Sequence, residues 1–134
     1  MKDILVVDSS KESLELMVEL LEQSGYGVRQ ATTGRAALDH MLQRLANVVL
    51  IDEDLPDYTG VELSHRLKAA AKAAWGAECI TIAIRGDIEH REVADWSGTD
   101  HLVLKPLNFD LFDALIADCC DARYVPVPNR RLLQ

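Results

Sequence analysis

Val48-Val49-Leu50-Ile51-Asp52-Glu53-Asp54-Leu55-Pro56-Asp57-Tyr58-Thr59-Gly60 is the stretch whose reading decides the fold. It opens with four apolar residues in a row, three of them β-branched. An unbroken apolar run of this kind suits a strand covered on both faces, the usual state in a parallel sheet. The run breaks into three consecutive acids, Asp52, Glu53 and Asp54. Pro56 and Gly60 then fix a loop, and a helical pattern follows. Open α/β sheets bind ligands at the carboxyl ends of their strands, so Asp52 stands first among the candidate functional residues. The plain alternative is a solvated loop that is polar because loops are.

Outward from this stretch, strand and helix alternate five times. Residues 4–7 form a second apolar run that ends in an acid, Asp8. Ser9 or Ser10 caps the next helix; Ser9 with Glu12 fits a capping box, which makes Ser9 a cap rather than a ligand. Leu14, Met17, Val18 and Leu21 recur at helical spacing, and Gly25 and Gly27 stop that helix. A short strand spans 28–31, and Thr33 caps a second helix with Ala37, Leu38, Met41, Leu42 and Leu45 inward. A third helix runs over about 61–74, to Gly76, and a strand over 80–84 stops at Arg85-Gly86. Asp87 caps a helix running to about Trp96. Gly98 turns the chain into Leu102-Val103-Leu104, which ends at Lys105-Pro106. Asn108 caps the last helix, with Leu111, Phe112, Leu115, Ile116 and Cys119 on one face.

This alternation predicts an α/β fold, a doubly wound five-stranded parallel sheet with helices on both faces. From Tyr124 the composition shifts, because Val125-Pro126-Val127-Pro128 cannot continue a helix and favours extended backbone. A folded domain over 1–122 and a tail, or the start of a linker, over 123–134 are expected.

A chain of 134 residues is about one domain. A net charge of −8 argues against direct nucleic-acid binding, which needs a basic face, and suits a site that gathers carboxylates around a cation. Cys79, Cys119 and Cys120 have no metal-ligand spacing and read as reduced thiols, hence a cytoplasmic protein. No apolar run reaches membrane-spanning length, and the apolar core of the first residues is too short for a signal peptide. His40, His65, His90 and His101 are scattered and read as surface or rim residues. Trp75 and Trp96 are expected half-buried at helix ends.

Parallel topology would bring Asp8, Asp52, Arg85 and Lys105 to one edge of the sheet. Two carboxylates and a lysine there suggest phosphoryl transfer to a carboxylate. Asp52 is then the nucleophile. Asp8 and Asp52 hold a Mg²⁺, which takes oxygen ligands and keeps several waters. Lys105 neutralises a phosphoryl oxygen.

With these residues in hand, the chain resembles the receiver domains of two-component response regulators, of the chemotaxis-regulator type. The run ending in Asp8, the spacing of Asp52 to Pro56 and Gly60, and Gly98-Thr99-Asp100 before Lys105-Pro106 carry the resemblance over about residues 1–122. It implies a flavodoxin-like fold of strand order 2-1-3-4-5. It implies a metal bound by Asp8, Asp52 and the backbone carbonyl of Asp54, and a cis Lys105–Pro106 bond. It also implies phosphorylation by a histidine kinase or phosphotransfer protein and a switch read by an output domain or partner protein. The domain would catalyse only its own phosphorylation and would be no enzyme otherwise.

Three positions depart from the family. Ser9 replaces the second acid, which predicts weakened Mg²⁺ binding. Arg85 replaces the hydroxyl residue that meets the phosphoryl group. Leu102 replaces the switch aromatic, so the usual hydroxyl–aromatic coupling should be absent. Arg85 is expected to turn inward and pair with Asp52 or Asp54, because the acids gathered there make the local field negative, with Glu53 left as a solvated loop charge. Otherwise Arg85 swings out, its stem over apolar surface and its head in water. The alternative is a pseudo-receiver, an interaction module that has lost phosphorylation. A haloacid-dehalogenase-type phosphatase would need its Asp-x-Asp on the first strand and a longer chain.

Overall fold

The apolar runs become strands and the helical repeats become helices in the computed structural model, which describes residues 3–86, 98–121, 123–125 and 130–132, the last as backbone. In chain order these are β1 (Asp3–Val7), α1 (Lys11–Gln23), β2 (Gly27–Ala31), α2 (Gly34–Gln43), β3 (Val48–Asp52), α3 (Gly60–Trp75), β4 (Ile80–Arg85), β5 (His101–Leu104), α4 (Phe109–Cys119) and β6 (Arg130–Leu132). The strands lie in the order β2-β1-β3-β4-β5-β6, and every pairing is parallel. The expected order 2-1-3-4-5 stands. The segment read as a tail adds a strand, with Arg130–Leu132 in register on His101–Val103 along the outer edge of β5. The helix expected from Asp87 to Trp96, with His90, lies outside the described residues.

β3 is central and all five of its residues are buried. Burying one such Val, Leu or Ile side chain contributes about 1.5–3 kcal/mol, which is why an unbroken apolar run takes the middle of the sheet. Its alternate residues serve opposite faces. Val48 and Leu50, with Ile4, Val6, Ile82 and Ile84, pack under α1 and α4 through Leu14, Leu21, Phe112 and Ile116. Val49 and Ile51, with Leu5 and Val7, pack under α2 and α3 through Met41, Leu63 and Leu67.

The caps follow the sequence with one correction. Ser10, not Ser9, caps α1, its Oγ accepting the Ser13 N–H at 3.4 Å. Thr33, Thr59 and Asn108 cap α2, α3 and α4 through the N–H three residues on. Gly76 closes α3 at φ +62°, a left-handed conformation that glycine adopts without a Cβ penalty. Two residues expected inside are exposed: Leu42, one residue past the buried Met41, and Leu111, one before the buried Phe112. A step of one residue turns about 100° around a helix, enough to carry both to the flank of the apolar stripe. His101, expected at the surface, is fully buried at the start of β5, with its Nε2 2.8 Å from the Tyr124 hydroxyl. The chain beyond α4 folds back over this strand, which no local pattern announces. Trp75 is 44% exposed at the end of α3, tied by Nε1–H to the Met41 carbonyl at 2.7 Å.

Candidate functional site

The alternation that builds the core also sorts the charges at the carboxyl edge of the sheet. One step past the buried runs, Asp8 and Asp52 fall on the side of α1 and α4, and Glu53 on the side of α2 and α3. Asp8, Asp52 and Lys105 line one cavity of about 270 Å³. Glu53 and Arg85 line another, of about 790 Å³.

In the first group the carboxylates are nearly enclosed, Asp8 at 8% and Asp52 at 7% exposure. Lys105 Nζ donates to Asp52 Oδ1 at 3.1 Å, and the Asp54 N–H donates to Asp52 Oδ2 at 3.3 Å. The Lys105 backbone N–H donates to the Arg85 carbonyl at 2.8 Å, which fixes the end of β5 against β4. The Lys105–Pro106 bond is cis, as expected. Asp8 Oδ1 accepts the Ser10 N–H at 2.9 Å. Burial pushes the Asp8 carboxyl above its ordinary pKa. The Ser10 bond opposes this, the Asp52 charge adds to it, and the balance stays upward. Burial pulls the Lys105 ammonium down, but its bond to Asp52 and the charges of Asp52, Asp8 and Glu53 outweigh that, and its pKa is raised.

Ser9 is turned to a different task from the one expected. Its Oγ donates to the Asp54 carbonyl at 2.7 Å, bridging the loop after β1 to the loop after β3. The Asp8 carboxylate holds the Ser10 N–H, so the chain enters α1 one residue later and frees Ser9 for this bridge.

The second group corrects two expectations. Arg85 pairs with Glu53, its Nε 3.5 Å from Oε2, rather than with Asp52 or Asp54. Glu53 is no solvated loop charge: both side chains are only 14% exposed, and Glu53 Oε1 accepts the Gly86 N–H at 2.8 Å. The physical reason is the strand period of two, which puts Arg85 on the face of Glu53 and not on that of Asp52. Leu102 is buried in a small cluster with Ala83 and Leu104 and offers no hydrogen-bonding group.

Two anchors of the site went unread in the sequence. Asp57 accepts the N–H groups of Gly34 at 2.9 Å and Arg35 at 3.0 Å, so the loop after Asp52 is clamped to the start of α2. Desolvation is the largest single influence on the Asp57 carboxyl and raises its pKa, but the backbone N–H groups of Gly34, Arg35 and Asp57 together outweigh it and lower the pKa. Lys68 donates to Asp100 at 2.6 Å, and Asp100 accepts the Thr81 N–H at 2.8 Å, which holds the approach to β5. An acid between Pro56 and Gly60 could have flagged Asp57; nothing local flags Lys68.

Among the described residues no three His, Cys, Asp or Glu side chains converge as a metal cluster. The site instead offers two carboxylates, Asp8 and Asp52, and the Asp54 carbonyl. One ammonium, Lys105, stands against the two enclosed carboxylates. An all-oxygen set with few protein ligands fits Mg²⁺, which retains most of its waters.

The model of the response regulator receiver domain matches residues 4–117. This chain belongs to the response regulator receiver domain family. The receiver is 29% identical over 129 residues to the virulence sensor protein BvgS of Bordetella pertussis, covering 93% of this chain and 10% of that one. It is 31% identical over 110 residues to the transcriptional regulatory protein KdpE of Mycobacterium tuberculosis, covering 81% of this chain and 46% of that one. The chain thus spans less than half the length of these curated relatives. Among solved structures, the response regulator TrrA of Thermotoga maritima, in complex with Mg²⁺-BeF, has a TM-score of 0.76 at 26% identity, over 89% of this chain and 99% of that one. TrrA in complex with the histidine kinase ThkA gives a TM-score of 0.77 at 26% identity, over 90% of this chain and 100% of that one. Among the described residues, no helix is long and apolar enough to cross a membrane.

Proposed function

We propose that this receiver accepts a phosphoryl group on Asp52 and hands the resulting change to an output domain or partner protein. The observation that carries the reading is the enclosed Asp52 carboxylate bonded to Lys105 at 3.1 Å, beside a second enclosed carboxylate, Asp8. The Asp52 carboxylate attacks phosphorus in line while the bond to the donor nitrogen or oxygen breaks. Lys105 stays with the phosphoryl oxygens and offsets their charge. The Asp54 N–H and the clamp from Asp57 to α2 hold the Asp52 loop in place for the attack. Asp8, Asp52 and the Asp54 carbonyl would hold a Mg²⁺. When bound, that ion supplies charge neutralisation at the transferring group.

Two features of this chain weaken that metal site. Position 9 carries a neutral side chain, and its hydroxyl already occupies the Asp54 carbonyl. The phosphodonor is a histidine kinase or phosphotransfer protein, by analogy with TrrA and its kinase. An apolar rim beside the carboxylate cavity supports docking of a donor protein there: Leu16 is 62% and Phe109 51% exposed. The chemistry ends on the receiver itself, so it turns over no separate substrate. Cys79, Cys119 and Cys120 form no disulfide, which suits the cytoplasm, and the net charge of −8 argues against direct binding to nucleic acid.

The test is intact mass after incubation with acetyl phosphate and Mg²⁺. One phosphoryl group should appear on the wild type and none on Asp52→Asn. A gain that survives the substitution would overturn the assignment.

A further inference from the structure

Among the described residues, Glu53 and Arg85 carry charge at the carboxyl edge that chemistry on Asp52 leaves without a task. They are not loose. Their side chains pair at 3.5 Å with 14% exposure each, and the Glu53 carboxylate also takes the Gly86 N–H at 2.8 Å. One carboxylate therefore grips two successive residues where the chain leaves β4. Glu53 directly follows Asp52, and Arg85 directly follows Ile84, the register partner of Asp52. Arg85 thus stands one residue along β4 from the register partner of Asp52, its resting side chain on the other face with Glu53. Phosphoryl oxygens on Asp52 would stand past the end of β3, beyond the apolar layer that separates the two faces.

Phosphorylation changes the local balance. The acyl phosphate on Asp52 carries about −1.5 to −2 where the carboxylate carried −1, a net gain of about −0.5 to −1, and it brings three strong acceptor oxygens. A guanidinium prefers the paired oxygens of a phosphoryl group, which it can meet with two parallel bonds. Glu53 has the same sign as the new group and is repelled by it. The cavity of about 790 Å³ that Glu53 and Arg85 line gives the side chains room to move. Leu102, buried and without a polar group, has no part in such a response.

From this juxtaposition we infer that Arg85 is the phosphoryl sensor of this receiver. It exchanges the Glu53 carboxylate for the phosphoryl oxygens on Asp52, and Glu53, repelled by the new charge, releases the Gly86 N–H. The inference rests on the reading of Asp52 as phosphoacceptor. Glu53 is a positioning residue, since it acts through Arg85.

Amide and arginine-side-chain NMR on the full chain tests it, with intact mass recorded on the same samples. In unphosphorylated Glu53→Gln, Gly86 should exchange roughly tenfold faster, as expected when a bond to a charged acceptor is weakened, and the Arg85 Nε–H resonance should move. In wild type under acetyl phosphate and Mg²⁺, Gly86 should show the same gain and Arg85 Nε–H a second, distinct position. Arg85→Lys, which cannot make two parallel bonds to a phosphoryl group, should lose the phosphorylation-dependent gain at Gly86 while still gaining the phosphoryl mass. If Glu53→Gln leaves Gly86 and Arg85 unchanged, the resting latch does not exist. If the wild type gains the phosphoryl mass but keeps its resting Gly86 and Arg85 signals, the pair is a static tie and the exchange is wrong. If no mass is gained, the phosphoacceptor reading fails and takes the trigger with it, while the Glu53→Gln arm still decides the latch.

Discussion

Replacing Ser9 with Asp restores the acid that most receivers of this family carry, and the structure sets two opposing effects. Without metal the variant should be less stable. It loses an Oγ–H···O bond of 2.7 Å to the Asp54 carbonyl, a bond at the surface contributing about 1 kcal/mol. It also sets a carboxylate facing that carbonyl and near Asp8 and Asp52. Together these should lower stability by about 1–2 kcal/mol, or roughly 3–8 °C in Tm for a domain of this size. With Mg²⁺ the sign reverses. The Asp54 carbonyl is released to the ion, and a third carboxylate joins the site. A carboxylate and a divalent cation about 4 Å apart interact by about 8 kcal/mol at an effective dielectric constant of 20. Stripping water from a small cation consumes most of this, leaving about ten- to a hundredfold in Kd. Thermal unfolding in chelator and in saturating Mg²⁺, with calorimetric titration, reads both terms. Ser9→Asp should melt below the wild type in chelator and close the gap in Mg²⁺. An unchanged Mg²⁺ affinity would show that position 9 does not face the ion, and an unchanged melting point in chelator would show that the bridge to Asp54 contributes nothing.

Asp8→Asn keeps an oxygen for the Ser10 N–H but removes a charge that burial disfavours. It should raise stability by about 1 kcal/mol at neutral pH while abolishing the Mg²⁺ response in titration. That stabilisation should shrink as pH falls through the raised Asp8 pKa, where the wild-type carboxyl becomes neutral too. Lys105 has a raised pKa, so its pairing with Asp52 is fully present below the ordinary lysine value of 10.5 and is lost as pH rises through the folded value. Lys105→Met should flatten that alkaline decline in a pH series of urea midpoints; a decline of unchanged size would assign it to other groups. Asp57 has a lowered pKa, so its clamp on α2 holds above 3.8 and is lost as pH falls through the folded value. Amide exchange of Gly34 and Arg35 should therefore be accelerated in Asp57→Ala at neutral pH, and protection equal to the wild type would remove the clamp from the account.

Much of the fold was legible because its signals are local and repeated. Four apolar residues before Asp52 and four before Asp8 mark fully covered strands, and caps at Thr33 and Asn108 mark helix starts. The meeting of Asp52 with Lys105 followed from parallel topology alone, since both stand at strand ends on one edge. What was misread depends on which face a residue takes once its strand has ended. Arg85 and Glu53 were assigned by net field, whereas the strand period of two had already put them together and away from Asp52. Ser9 was misassigned because Ser9 and Ser10 offer the same chemistry, and only the bond from Ser10 N–H to Asp8 chooses between them. The burial of His101 and the pairing of β6 on β5 come from chain that returns after α4, a long-range event with no periodic trace.

Reductive trapping tests whether Asp52 is the residue that takes the phosphoryl group. Borohydride reduces an aspartyl phosphate to homoserine, and peptide mass mapping then locates it. After acetyl phosphate and Mg²⁺, homoserine should appear at position 52 alone. Homoserine at position 8 or 54, or none in a sample whose intact mass shows the phosphoryl group, would contradict it.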